Sequence, residues 1–483
     1  GARGGGGGPS VLACSDSNIA VDNLLTGLLR AGVRAVRVGR PETTSPELLL
    51  HSVDAVGAEA AAQAKLQGGN PKDAAHSARQ RAIRGADVLC ATCVGAGSGM
   101  LERCTFTRVL VDEAAQATEL ATVVALARGC QQLALVGDHC QLPPTVTSDL
   151  AASDGLGASL FDRLVDAGVP TCLLAVQYRM HPSIAAFPSA CFYAGRIEDG
   201  VRPAARPPVP GFRWPRPDFP VAFVPSVGPG AREGGDGGTS KSNAQEVGVV
   251  ANILHAVLRG EGGAPGPPLT PPEIGVVTPY AAQVRLLRRA RPHPAVEVAS
   301  VDGFQGREKE LIIISTVRSN AHGNVGFVAD WRRANVALTR ARRGVIIVGD
   351  PETLVHEDRA WGPLLTFLGA NGCILDRPAT EYPLPREGEE VRALARHICG
   401  VPDPGGRKYE SAAPAAGDAV SPSARAAREE GKSPTSSRRR RRDRSRSRSR
   451  SADRSRDGKR RREGSERKED RIKPSLPPSI SVR

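Results

Sequence analysis

Asp112 and Glu113 close an apolar run, RVLVDE (108–113), and adjacent acids at such a place can divide labour. One carboxylate can order Mg²⁺ while the other positions and deprotonates an attacking water; a solvated strand end is the other reading of the pair. LVGDHCQLPPT (135–145) repeats the arrangement. It sets Gln141, an amide that can donate and accept, in a loop stiffened by Pro143 and Pro144. Such a group can sense a terminal phosphate or an attacking water, or simply mark where a strand ends. QYRMHP (177–182) puts Tyr178, whose ring could stack on a base, beside Arg179, a permanently charged fork suited to phosphate. A core tyrosine with a solvated arginine fits the same residues. In VASVDGFQGREKELIIIS (298–315), Glu308 lies in a glycine-containing loop between two strands. NVALTRARRGVIIVGD (335–350) gathers Arg340, Arg342 and Arg343 before a buried strand, either as a solvated face or as a cation reaching into a phosphoryl site.

The elements that must hold these residues are legible as short apolar runs. They are SVLAC (10–14), RVLVDE, QLALVGD (132–138), EIGVVTPY (273–280), KELIIISTV (309–317) and GVIIVGD (344–350), often followed by helical patterns. Strands apolar on both faces and alternating with helices predict parallel sheets in an α/β fold. Residues 200–243, rich in Pro and Gly, read as a long surface insertion. Beyond about residue 402 no periodicity survives, and an Ala/Pro/Gly stretch leads into an Arg/Ser-rich tail that is expected to be disordered.

Charge follows the same division. Residues 431–483 hold 21 of the 65 Lys/Arg and 7 of the 51 Asp/Glu, so the other 430 residues carry 44 of each. The body is neutral and the tail carries the whole net charge of +14. The ten cysteines have no zinc-like or disulfide-like rhythm, and the one CxxC, Cys90 to Cys93, reads as a buried strand end. No 18-residue apolar stretch predicts a membrane helix. The glycine run Gly4 to Gly8 is followed by neither the Lys nor the Ser/Thr that a phosphate-cradling G-x-x-x-x-G-K-[ST] loop requires. The only Gly-Lys-Ser, at residues 431–433, has Ala426 where that frame needs its first glycine.

DEAAQ, GDHCQLPPT, QYRMHP, DGFQGREKE and NVALTRAR, in this order and spacing, resemble the group B helicases of superfamily 1. The resemblance spans about residues 9–375 and points to the branch of the regulator-of-nonsense-transcripts helicase and senataxin. SDSNIAVDNLL (15–25), CATCVGAG (90–97) and the cysteine of GDHCQ are most similar to the nonsense-decay helicase, while DEAAQ and QLPP lean toward senataxin and the immunoglobulin-μ-binding helicase. It implies two RecA-like domains: 1–171, incomplete and with a small insertion at about 43–84, and 172–380, carrying the 200–243 insertion. A linker at 381–430 and the tail at 431–483 complete the expected organisation.

The resemblance also implies roles. Asp112 would hold Mg²⁺ through bound water, and Glu113 would activate the attacking water. Gln141 would read the γ-phosphate of ATP, Tyr178 would stack on adenine and Glu308 would touch the ribose. Arg179 and Arg340 would stabilise charge on the transferring phosphoryl group. Ser17, Asn18, Thr92, Val94, Gly95, Thr278, Pro279 and Ser300 match segments that contact a nucleic acid strand, mostly through its backbone. The implied partners are RNA, with DNA or RNA–DNA hybrids also used, and RNA-processing or decay proteins, with no membrane. The implied location is cytoplasm, nucleus or both, the basic tail suiting the nucleus. The P-loop and its strand are expected upstream of Ser10, which would leave residues 1–483 by themselves inactive. A non-catalytic RNA-binding scaffold is the alternative.

Overall fold

The computed structural model describes residues 10–228, 230–235, 240–375 and 388–400. The Gly4–Gly8 run and the basic tail lie outside the described residues, as does most of the expected linker. Two five-stranded parallel sheets organise the described residues, and both belong to one compact unit.

The first sheet begins with β1 (Val11–Ser15), α1 (Asn18–Arg30) and β2 (Ala35–Arg37). A helical hairpin follows, α2 (Val53–Leu66) and α3 (Pro71–Gly85), and fills the stretch expected as a small insertion. Then come β3 (Val88–Thr92), β4 (Arg108–Asp112), α4 (Glu119–Leu126) and β5 (Gln132–Leu135), with α5 (Asp149–Ala151) and α6 (Leu160–Asp166) completing the lobe. The strand order is β2-β3-β1-β4-β5. Ser15 pairs with both Thr92 and Asp112, so the C-terminal ends of three strands finish level. α1 covers one face through Val21 and Leu25, and α4 covers the other through Ala121 and Ala125. Cys90 and Cys93 are both fully buried, as a strand end would place them. Among the described residues β5 forms an edge; Leu133 and Val136 there are exposed, as are Leu173 and Leu174 beyond α6.

The second lobe runs through β6 (Val176–Gln177), α7 (Pro182–Tyr193), β7 (Glu198–Asp199), β8 (Val221–Pro225), α8 (Ala244–Arg259), β9 (Ile274–Thr278) and α9 (Ala281–Ala290). It continues with β10 (Glu297–Ser300), β11 (Lys309–Ser315), α10 (Trp331–Leu338), β12 (Ala341–Gly349), α11 (Pro351–Leu354), α12 (Trp361–Ala370) and α13 (Gly388–Ile398). The main sheet is ordered β10-β9-β11-β12-β8, with α8 and α9 on one face and α7, α12 and α13 on the other. The central strands are buried along almost their whole length, which is why their sequences lack alternation.

Two stretches differ from the sequence expectation. Residues 200–243 are only partly surface loop, because β8 inside them pairs with β12 and Val209, Trp214 and Phe219 are buried. Trp214 donates its indole N–H to Val209 O at 2.9 Å and lies against Gly344, where a Cβ would stand 2.6 Å from the ring. The Pro/Gly composition hid these three apolar anchors. Part of the 381–430 linker is the helix α13, whose Val391 and Ala395 are buried against the core. Val391, Leu394, Ala395 and Ile398 recur at helical spacing, a signal too short to stand out beside the low-complexity tail.

A buried polar network ties α8 to the end of β11. Glu246 is fully buried and accepts from Ser315 Oγ at 2.6 Å and from Val317 N at 2.9 Å. Gln283 donates to Ser315 Oγ at 2.9 Å and Asn243 to Val317 O at 3.2 Å. These bonds hold Val317 at φ 71°, a costly value for a β-branched residue. Burial pushes the Glu246 carboxyl from 4.5 up to about 8. The folded state therefore binds this proton more tightly than the unfolded chain. Its contribution is complete below pH 4.5 and is lost as pH rises toward 8, by about 1.4 kcal/mol for each pH unit crossed. Thermal unfolding is expected to fall in temperature across that window. Glu246→Gln, which cannot ionise, should flatten the decline, and an unchanged pH profile would count against a proton held at Glu246.

Candidate functional site

Open parallel sheets place their reactive groups beyond the C-terminal strand ends, and Asp112 ends β4 there. Glu113 follows at φ 53°, in the left-handed region, and its carboxylate accepts from Gln116 Nε2. Both acids are half-buried. Burial raises the pKa of each; the Asp112 charge raises Glu113 further, while Arg340 works in the opposite direction. A carboxylate held above its ordinary range is better matched to accepting a proton near neutral pH.

The loop after β5 packs directly against this turn. A Cβ at Gly137 would stand 2.8 Å from Ala115 N, so only glycine permits the approach. Asp138 then organises the loop, accepting from Cys140 N at 2.9 Å, Gln141 Nε2 at 2.7 Å and the Tyr193 hydroxyl at 2.6 Å. Asn335 donates to Tyr193 Oη at 2.9 Å and to Cys140 O at 2.8 Å. Arg340 Nη2 donates to Gln141 Oε1 at 3.2 Å. Gln141 is thus fixed at both ends, with its amide nitrogen on its own lobe and its oxygen on the other.

Arg340 is almost fully buried, and its Nε donates to Val336 O at 3.1 Å. Burial, and secondarily the Arg179 charge, lower its pKa to about 10, which leaves it cationic at neutral pH. Arg179 donates to Thr339 O at 3.0 Å and to Glu308 Oε2 at 2.7 Å. Glu308 and Arg340 immediately precede Lys309 and Ala341, which face each other at the start of β11 and β12. That pairing brings the two motifs together at the N-terminal end of the second sheet. Tyr178 is 68% exposed, and its ring lies so close to Gly200 that a Cβ there would clash at 2.2 Å.

The structure therefore gathers Glu113, Gln141, Arg340, Arg179 and Glu308 along one line between the lobes. Sequence reading missed Asp138, Tyr193, Asn335 and Thr339. Asp138 carried a signal, an acid directly after an apolar run as at Asp112; Tyr193 carried none.

The candidate strand-contacting residues lie at the C-terminal edges of both sheets. Ser17, Thr92 and Ser300 share one device, each hydroxyl oxygen accepting from a backbone N–H three residues on. The donors are Ala20 at 3.2 Å, Gly95 at 3.0 Å and Gly303 at 3.1 Å. With the acceptor role filled locally, each O–H can donate outward. Asn18 Oδ1 accepts from Arg37 Nη2 at 2.8 Å, and Arg37 is itself buried against Asp22 with a 2.6 Å ion pair. Val94 is exposed, whereas Thr278 is fully buried and its hydroxyl has no partner, so only its neighbour Pro279 reaches the surface.

Two AAA-domain family models match the chain, one over residues 3–70 and 55–149, the other over 156–352. The "Regulator of nonsense transcripts 1 homolog" of Drosophila melanogaster is 40% identical over 391 residues, 74% of this chain and 32% of its own length. The "ATP-dependent helicase upf1" of Schizosaccharomyces pombe is 39% identical over 372 residues, 71% of this chain and 39% of its own length. The chain belongs to the superfamily 1 helicases, in the nonsense-transcript-regulator branch. It spans about a third of the length of the curated relatives it matches. Among solved structures the PRRSV helicase overlays 71% of this chain and 48% of its own, at 15% identity and a TM-score of 0.36.

The donor set of this helicase chain fits a magnesium nucleotide in part. Asp112 and Glu113 offer half-buried carboxylates for a cation, and Arg340 and Arg179 offer cations for phosphate oxygens. The described residues contain no Gly-Lys-Ser/Thr sequence to cradle the remaining phosphates. Asp138, His139 and Cys140 lie within 4.8 Å of one another, but Asp138 is already committed to three donors and burial pushes the Cys140 thiol up to about 12. That trio is organised as a loop anchor. No helix among the described residues is long and apolar enough to cross a membrane.

Proposed function

We propose that this chain supplies the cleft and strand-gripping surface of an ATP-dependent helicase that moves 5′→3′ on RNA, or on RNA paired with DNA, in RNA surveillance or processing. The bond from Arg340 to Gln141 carries the reading, because it joins the lobe bearing the acids to the lobe bearing the arginines. In this reading Glu113 takes a proton from the attacking water, and Gln141 positions that water or the terminal phosphate. Arg340 and Arg179 offset charge on the transferring phosphoryl group. Bound Mg²⁺, held at Asp112, would neutralise phosphate oxygens.

The exposed Tyr178 ring offers a stacking face for adenine, and Glu308 lies beside Arg179 where a ribose hydroxyl could be met. Ser17, Thr92 and Ser300 would donate to the strand backbone, with Asn18, Val94, Gly95 and Pro279 alongside. Contacts of that kind predict little base preference and marked salt dependence. Opening and closing of the bond between Gln141 and Arg340 would couple nucleotide state to grip. Nuclear as well as cytoplasmic residence, and partners among RNA-processing proteins, are part of the same proposal.

A scaffold without catalysis has no physical need for a polar network that spans both lobes. The test is ATP hydrolysis by the full natural protein with single-stranded RNA of several sequences. Turnover stimulated by every sequence, and weakened by salt, is expected. RNA binding without hydrolysis under any condition would favour the scaffold.

A further inference from the structure

Arginines crowd the β10 edge of the second sheet. A cleft of about 870 Å³ opens there between α9 and β10. Arg285, Arg288, Arg291 and Arg307 line it, and Glu297 is the one acid among its lining residues. Glu297 is neutralised by ion pairs to Arg307 and, at 2.9 Å, to Lys309.

The arginines are only partly committed. Arg288 Nε donates to Val298 O at 3.0 Å and Arg291 Nη1 donates to Val296 O at 2.8 Å. Each of these occupies one of the five N–H donors of a guanidinium. Arg285 is exposed and no polar partner of its side chain stands among the described residues. These bonds cap the carbonyl of Val298 in β10, an edge strand of its sheet, and that of Val296 just before it, which makes this stretch a poorer template for an added peptide strand. What remains is an open, cationic trough without an aromatic lining residue.

Ser300 and Gly303 also line the trough. Ser300 faces Thr278 across β9 and β10, so the trough continues from the sheet edge that carries Pro279 and the outward Ser300 hydroxyl. Arg285 and Arg288 lie three residues apart on α9, about 4.5 Å along its axis, and Arg291 follows at its C-cap in an extended conformation. We infer that the α9–β10 cleft binds the sugar-phosphate backbone of single-stranded nucleic acid as it passes Ser300, lengthening the strand path over the side of the second lobe. Contact is chiefly to phosphate, since the lining offers guanidinium donors and no aromatic ring. This rests on the strand-gripping reading above.

Arg289 provides the control, because it is exposed on the same helix but does not line the cleft. Binding of fluorescent oligouridylates of 6 and 24 nucleotides to the full natural protein is measured across a salt series. For the 24-mer, Arg285→Ala is expected to reduce the log–log salt slope by about 0.7 and to weaken binding about fivefold at 0.1 M salt. Arg285→Glu should weaken it further, Arg289→Ala should leave it unchanged, and the 6-mer should not sense Arg285. If Arg285→Ala and Arg289→Ala act alike, or neither acts while the wild type binds the 24-mer, the cleft proposal fails and the helicase reading stands. If the wild type binds neither oligonucleotide, the helicase reading fails. Binding of a triply phosphoserylated peptide that depends on Arg285, with 24-mer binding untouched, would overturn the proposal in favour of a protein partner.

Discussion

Full natural protein carrying Arg340→Ala should turn over ATP about 10³- to 10⁵-fold more slowly at saturating RNA, the range associated with an arginine acting on a transferring phosphoryl group. The size of the effect follows from where the side chain sits. Arg340 is buried, so its charge acts where water screens it little. Its guanidinium is already oriented by Val336 O, Thr339 Oγ1 and Gln141 Oε1, so little reorganisation accompanies the reaction. It also interacts favourably with the Glu113 carboxylate across the lobes. Loss of the side chain leaves the Gln141 oxygen without its donor, and Arg340→Lys, which keeps charge but not the fork, should recover only part of the rate. The decisive measurement is kcat beside thermal unfolding. A wild-type kcat in a folded variant would remove Arg340 from the mechanism, whereas a slow variant that is also unfolded would be read through Arg340→Lys.

Glu113→Gln should lower kcat by about 10²- to 10⁴-fold, the usual weight of a general base, while nucleotide-dependent RNA binding persists. The amide keeps the shape of the carboxylate and cannot take the proton. The left-handed turn at residue 113 is a backbone feature that the substitution leaves in place, and the new amide oxygen can still accept from Gln116 Nε2. The wild-type pH profile adds a second check. Because burial and Asp112 raise the Glu113 pKa, the rate should fall on acidification at a pH above the ordinary carboxylate value of 4.5. That acid limb should be absent from the residual rate of the variant. Wild-type turnover in Glu113→Gln, or an unaltered acid limb, would assign the base to another group.

All six apolar runs became strands, β1, β4, β5, β9, β11 and β12; burial on both faces leaves β1, β9, β11 and β12 an unbroken apolar signature, whereas β5 is an exposed edge. The same logic placed Asp112 at a strand end. It failed for β8, where five strand residues sit inside a stretch dominated by Pro and Gly, and for α13, eleven residues next to a low-complexity tail. Thr278, which the resemblance put among the strand-contacting residues, is fully buried, since a motif match does not say which way a strand-end hydroxyl points.

The six apolar strands, and the acids that stand at the end of β4, were determined by sequence alone through local apolar patterning and recognisable motifs. Which residues meet was decided only by the tertiary structure. Gln141 and Arg340 are 199 positions apart, Cys140 and Asn335 are 195, and Arg179 and Glu308 are 129. Contacts of that span depend on how two sheets and their covering helices pack, which no local window records. The positive φ of Glu113 stands where the loop after β5 meets the end of β4, whereas the arginine-lined cleft beside β10 is built from the single stretch 281–307.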